Sequence, residues 1–296
     1  MNGFSASQWG QLLLSGLTSG AIYGLIGLGY VTIYRTSRVV NMAQGSFVML
    51  GALIAWSVVN QLKWPLWLAC LLSVVAVVII SMLTYQVVIA PVMKVSLVAM
   101  ILATIGVSLI CEAVSLLIWG GYGQSAPPFT GGSFTAGGVV VQWQSLWILG
   151  LAGLILLGLY LLGNHTFLGK RMTATATSPN AASICGVWTG RMVLVAFGIS
   201  GAVASISGVA ISSIAPVSYL SGGSFGLMGF VAAILGGWGS SAGAVVGGLV
   251  LGLIEAVVIG LLPAGYKGAV AFVLLILILY FRPSGILGKT VPEGEQ

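Results

Sequence analysis

Two carboxylates, Glu112 and Glu255, stand inside long apolar stretches of this 296-residue chain. An ionised side chain at mid-bilayer costs on the order of 3 kcal/mol, so each must face a protein interior and find a partner there. Each then either binds a substrate amine or relays a proton, or it is a structural carboxyl hydrogen-bonded to a neighbouring helix. Asn41 and Gln44, followed by Ser46, open another apolar stretch with uncharged donors and acceptors suited to a zwitterionic or amide-like solute; alternatively they only cap a helix broken at Gly45. Other chemistries lack their residues. With no Asp, one His and three Cys, no metal cluster, acid–base pair or triad can be assembled, so neither a metal site nor a catalytic residue is expected. Cys70 and Cys111 fall in apolar runs and Cys185 in a polar one, which makes no disulfide framework. His165 reads as an interfacial residue rather than a ligand. Gly288-Lys289-Thr290 resembles the end of a phosphate-binding loop, but that motif needs Gly where Pro283 stands, and a strand before and a helix after. No nucleotide is expected to bind this chain.

A membrane bundle must position these residues. Hydrophobic residues make up 58% of the chain, charged residues 5%, and mean hydropathy is +1.13, which excludes a water-soluble globular domain. The apolar runs have helical length, so the expected fold is an all-α polytopic membrane protein rather than an outer-membrane barrel. The ten basic residues sit at the ends of apolar runs, where they mark topology rather than a nucleic-acid footprint. Residues 1–10 carry no basic residue and so lack the charged start of a cleavable signal peptide.

In chain order, spans are expected at about 11–33, 41–59, 66–89, 97–119, 146–162, 192–214, 221–238, 242–262 and 268–281, about nine crossings of one transmembrane domain covering 1–296. Residues 120–144, uncharged and rich in Gly, Pro and Ser, read as an external loop, and 282–296 as a polar tail. With the N-terminus outside, alternation puts Arg35, Arg38, Lys94, Lys170, Arg171, Arg191, Arg282 and Lys289 in the cytoplasm and leaves only Lys63 and Lys267 outside. That count requires 221–238 to cross; a re-entrant segment is the competing reading. Gly45-Ser46-Phe47 with Gly51 recurs as Gly223-Ser224-Phe225 with Gly229, and Ser19-Gly20-Ala21-Ile22 as Ser200-Gly201-Ala202-Val203. Five crossings separate the copies, so an inverted internal repeat is expected, with small-residue packing alone as the alternative.

The stretch 163–191 holds three of the ten basic residues, Lys170, Arg171 and Arg191, and is the main place to meet a water-soluble partner. Ser178 followed by Pro179 reads as a helix start and Gly186 as its stop. A helix under two turns long is unstable alone, so a partner protein is expected to grip it.

Several stretches carry a family resemblance. The run Gly20 to Gly29, the stretch Val39-Val40-Asn41-Met42-Ala43-Gln44-Gly45, the run Gly236 to Gly248 and the closing Phe281 to Gly288 are similar to the LivH/LivM family of branched-chain amino acid ABC transporter permeases, closer to LivH in length and opening. Lys170, Arg171, Ala174, Pro179, Ala181, Ala182 and Gly186 fall where that family's ATPase-contacting segment has its basic, small and turn residues. The resemblance implies a permease of ABC importer type in a bacterial inner membrane, working by alternating access. It also implies two cytoplasmic ATPase subunits that use the ATP, a second permease chain (LivM-like or identical), and a periplasmic solute-binding protein, with no cofactor on this chain and no nucleic-acid partner. Asn41, Gln44, Ser46, Glu112, Ser224 and Glu255 are the expected substrate pathway, and a bulky charged residue at Ala181 or Ala182 is expected to abolish uptake. The family often has His and an acidic residue where this chain has Gln44 and Ser46, which leaves urea, short amides or aromatic acids as alternative solutes; it also has acidic residues around Pro179 that this chain lacks, which bears on which ATPase is its partner. A self-sufficient carrier driven by an ion gradient is the rival class, with Glu112 and Glu255 as its coupling residues.

Overall fold

A computed structural model describes residues 5–93, 95–136, 138–261 and 267–288. In order these form α1 (Ala6–Ser37), α2 (Gln44–Asn60), α3 (Leu66–Leu83) continued by a π-helical turn (Thr84–Ile89) and α4 (Ala90–Val92), then α5 (Leu97–Trp119) and a hairpin of β1 (Ser133–Ala136) and β2 (Val139–Gln142). There follow α6 (Trp143–His165), α7 (Phe167–Thr177), α8 (Pro179–Ile184), α9 (Thr189–Ser212), α10 (Ser221–Gly236), α11 (Ser241–Leu261) and α12 (Lys267–Phe281). Six helices are long and apolar enough to cross a bilayer, and three shorter apolar helices, α2, α10 and α12, lie among them. The chain is a multi-pass helical membrane protein.

Several expectations need correction. The first helix starts at Ala6, not near 11, because Ser5 and Gln8 close a reciprocal capping box, and it runs on to Ser37. The stretch 120–144 contains the hairpin, and its last two residues already belong to α6; Gln144 is buried and its Oε1 accepts from the Phe129 amide at 3.0 Å. The stretch 163–191 is mostly helix, with the unexpected α7 preceding α8. Lys94, Lys289 and Thr290 lie outside the described residues, as does the tail beyond Gly288.

Small residues decide which helices sit at the centre. On α1, Gly16, Gly20 and Gly24 recur every fourth residue, and on α11 Ala244, Gly248, Gly252 and Ala256 do the same, so the two antiparallel backbones close on each other. A Cβ added at Gly20 would stand 2.7 Å from the Gly248 carbonyl oxygen, and one at Gly16 2.7 Å from that of Gly252. Helix α9 holds the second seam. It takes α2 where Gly51 faces the Ser205 backbone and Gly208 faces Val48 and Ala52. It takes α3 through Ser81 Oγ donating to Phe197 O (2.7 Å) and the Ser73–Ser205 hydroxyl pair (2.8 Å). Thus α1 packs on α10 and α11, while α9 packs on α2 and α3. Helices α3, α5, α6 and α12 turn exposed residues such as Leu71, Ile79, Leu109, Leu154 and Ile276 outward, as a hydrocarbon solvent requires.

Candidate functional site

The chain between α1 and α2 turns back into the bundle. Arg38 ends α1 in the left-handed region (φ 57°), and α2 begins only at Gln44, whose side chain lies beside Gly29, about 12 Å back from the end of α1 at 1.5 Å per residue. Irregular backbone at that depth survives only if protein satisfies it. The Met42 amide donates to Thr104 Oγ1 (3.1 Å), the Ala43 amide to Asn41 Oδ1 (3.1 Å) and the Gln44 amide to Asn41 O (3.2 Å). Gln44 is held by Ser200, whose hydroxyl lies 2.8 Å from Gln44 Oε1 and 2.9 Å from Gly29 O. Ser46 Oγ meets Ser108 Oγ at 2.7 Å. Asn41 Nδ2 is buried with no acceptor among the described residues.

At the same level the two copies of the Gly-Ser-Phe repeat meet. A Cβ on Gly45 would lie 2.5 Å from Gly226 Cα, and one on Gly222 3.0 Å from Ser46 Oγ, so the beginnings of α2 and α10 cross there. Asn41, Gln44 and Ser46 are therefore brought together and fully enclosed. Glu112 stands one turn along α5 from Ser108 and is half-buried. Ser224 and Glu255 belong elsewhere. Ser224 is two residues from both Gly222 and Gly226, on the opposite side of α10. Glu255 is buried and its Oε2 accepts from Tyr23 Oη at 2.8 Å. Sequence reasoning missed Thr104, Ser108, Ser200 and Tyr23. Ser200 lay inside the repeated Ser-Gly-Ala motif, the one signal that could have found it.

A second assembly forms at the end of the molecule where α1 and α6 finish. Thr166 caps α7 by accepting from the Gly169 amide (3.1 Å), and Gly169 sits against the Leu162 and Gly163 backbone, folding α7 back on α6. Helix α7 buries Met172 and Thr175 and leaves Lys170, Arg171 and Ala174 exposed. The expected short helix is present as α8: Ser178 Oγ accepts from the Ala181 amide (3.3 Å), Pro179 occupies its first turn, and Gly186 (φ 79°) follows it. Ala182 is buried and Ala181 exposed. Three exposed apolar side chains that sequence reasoning passed over lie along the α7–α8 region, Phe167 (82%) at the start of α7, Ile184 (87%) at the end of α8 and Trp188 (66%) just before α9, with Arg191 4.1 Å over the Trp188 ring. Removing the cap in Ser178→Ala should cost about 1 kcal/mol locally. Amide hydrogen exchange at residues 181–184 should speed up roughly five-fold, and unchanged exchange would mean that the cap does not hold α8.

The family model described as branched-chain amino acid transport system / permease component matches residues 12–279. The chain belongs to this family. Among relatives in this permease family, the high-affinity branched-chain amino acid transport system permease protein BraD of Pseudomonas aeruginosa is 30% identical over 97% of both chains. The corresponding protein LivH of Escherichia coli (strain K12) is 29% identical over 97% of both. The probable branched-chain amino acid transport permease protein LivH of Methanocaldococcus jannaschii is 25% identical over 89% of this chain and 88% of its own. No solved structure matches. The family is one of transport permeases, not of enzymes.

In this permease the Gly236 to Gly248 run spans the turn between α10 and α11, at 237–240, and the first two turns of α11, with Gly237 (φ 113°) and Gly239 (φ 92°) in conformations that other residues rarely adopt. The closing stretch docks on that turn: the Ile286 amide donates to Leu235 O (2.9 Å) and the Leu287 amide to Gly236 O (2.8 Å), satisfying carbonyls at the end of α10.

Proposed function

We propose that this chain is the membrane-spanning subunit of an ATP-binding-cassette importer, moving branched-chain amino acids delivered by a periplasmic binding protein. Membership of the branched-chain permease family over nearly the whole chain carries this reading. Two cytoplasmic ATPase subunits supply the work and use the ATP, this chain itself holding no cofactor, and a second permease, LivM-like or identical, completes the pathway. The ATPase contact is the α7–α8 region with Lys170, Arg171, Ala174, Pro179, Ala181, Ala182 and Gly186, together with Phe167, Ile184 and Trp188. Large apolar side chains exposed beside basic ones fit a protein partner. A docked rigid helix is also what converts partner motion into a biased equilibrium between inward and outward states.

In this reading the membrane domain spans 1–296, crosses the inner membrane nine times, and has its N-terminus outside and C-terminus inside. The basic residues support that orientation: Arg35 donates to Ser241 (3.2 Å) at the end of the bundle that carries α7 and α8, whereas Lys63 lies at the other end, between α2 and α3. An inverted repeat relates α1–α2–α3 to α9–α10–α11. Its support is the reciprocal packing, α1 on α10 and α11 and α9 on α2 and α3, and the meeting of the two Gly-Ser-Phe copies at Gly45 and Gly226.

The test is uptake by proteoliposomes holding this chain with its ATPase, second-permease and binding-protein partners, with internal ATP and no ion gradient. Leucine, isoleucine or valine should accumulate only with ATP and binding protein. Uptake of urea, short amides or aromatic acids instead would change the solute class, and accumulation by this chain alone on a proton or sodium gradient would reject the ABC reading.

A further inference from the structure

The polar cluster at Gln44 is closed over by protein, but on the opposite side of α10 a cavity of about 310 Å³ opens between α1, the end of α9, the start of α10 and the start of α12. Its walls are apolar and branched or adaptable: Ile22, Ile211, Phe225 and Met228. Its polar groups are Ser19, Tyr23 and Ser224, and Tyr23 is anchored by its bond to buried Glu255. A small volume with a mostly apolar lining and a few convergent polar groups suits one amphiphilic small molecule. The cavity also lies toward the end of α9 remote from α8, the side from which a binding protein would deliver.

The repeated motifs sharpen this placement. Ser19, Ile22, Ser224 and Phe225 match Ser200, Val203, Ser46 and Phe47 in the other copies. In the second set Ser200 is occupied by Gln44, Ser46 by Ser108, and Phe47 is fully buried. One set is thus filled by the protein's own side chains, while the other lines open space.

We propose that this cavity is a binding site for a branched aliphatic amino acid, its side chain held by Ile22, Ile211, Phe225 and Met228 and its polar end by Ser19, Ser224 and the Tyr23–Glu255 pair. The proposal rests on the permease reading above and names the site within it. Tyr23 and Glu255 act as a positioned unit: the buried Glu255 carboxyl holds the Tyr23 hydroxyl, and Tyr23 forms part of the cavity wall.

The experiment compares wild-type and variant assemblies in proteoliposomes, with leucine, valine and phenylalanine as solutes. Ser224→Trp, at the exposed mouth, should lower leucine uptake about ten-fold or more while co-purification with the partner subunits is kept. Met228→Ala, which enlarges the cavity, should shift the phenylalanine-to-valine uptake ratio upward about ten-fold, the scale on which apolar pockets sort side chains. This ratio does not depend on expression level. A diazirine analogue of leucine, photolysed in the assembly, should label the peptide containing residues 211–228. Unchanged uptake in Ser224→Trp with an unchanged ratio in Met228→Ala would overturn the site while wild-type leucine uptake upholds the permease. A wild-type assembly that moves no branched-chain amino acid would bring down both.

Discussion

Gly248→Leu should leave almost no folded permease in the membrane. A Cβ at Gly248 falls on the Gly24 backbone and within 2.6 Å of the Gly20 carbonyl oxygen, so it meets main chain on a neighbouring helix rather than a side chain that can swing away. Helices α1 and α11 would have to separate along the most intimate contact of the bundle. Overpacking of this kind costs roughly 1–3 kcal/mol even where side chains can adjust, and more here where they cannot. Against a total stability of about 5–15 kcal/mol, a cost above that overpacking range removes most of the margin that keeps the bundle closed. Gly158→Leu is the matched control: Gly158 on α6 has nothing within 4 Å of its added Cβ, so the change should stay within about 0.5 kcal/mol. The measurement is the yield and thermal midpoint of monodisperse protein in detergent. Equal midpoints for both variants would show that the α1–α11 seam does not set stability.

The second large effect concerns transport rather than folding. Ala181→Glu should abolish ATP-driven uptake, at least 100-fold, with membrane insertion and thermal midpoint unchanged. Ala181 is exposed on α8, between the Ser178 cap and exposed Ile184, so a charge there enters the surface proposed to dock the ATPase without disturbing the bundle. Burying an unpaired charge in an interface costs several kcal/mol, which is ample for that loss. Ala182 no longer serves as an equivalent test. It is buried, so a charge at 182 would damage packing as well as docking. Loss of uptake in Ala181→Glu with normal partner co-purification would place the defect in coupling; full uptake would remove α8 from the ATPase contact.

The helices were legible because their signals are local. Runs of apolar residues gave 97–119 to the residue and the bounds of the other apolar helices within about five positions, six of them long enough to span, since length and hydropathy are local properties. The α8 helix was legible for the same reason: Ser178, Pro179 and Gly186 act on backbone groups within one turn. Helix α7 was missed because its Thr- and Gly-containing sequence has weak helix propensity, and its order comes from burying Met172 and Thr175 against other helices. The hairpin at 133–142 does carry a two-residue turn signal, Gly137-Gly138 between Ser133-Phe134-Thr135-Ala136 and Val139-Val140-Val141-Gln142, but it is hidden by a surrounding stretch so rich in Gly, Pro and Ser that the whole segment reads as loop.

The candidate sites divide along the same line. Residue type alone pointed to Asn41, Gln44, Ser46, Glu112, Ser224 and Glu255, because polar groups in apolar sequence are rare and need partners. It could not say which of them share a place. In helices that are hydrophobic all round, no amphipathic stripe reveals which face turns inward, so facing depends on which backbones can approach. The glycines and serines of α1, α9, α10 and α11 made that choice in three dimensions. They enclosed Gln44 with Ser200, set Glu255 behind Tyr23, and left Ser224 beside an open cavity. The sequence by itself determined a helical membrane permease and the short capped helix α8, since composition and capping act within a turn or a span. Which polar groups are filled, and where space remains for a solute, was decided only by tertiary packing, because close approach of helices depends on both surfaces at once.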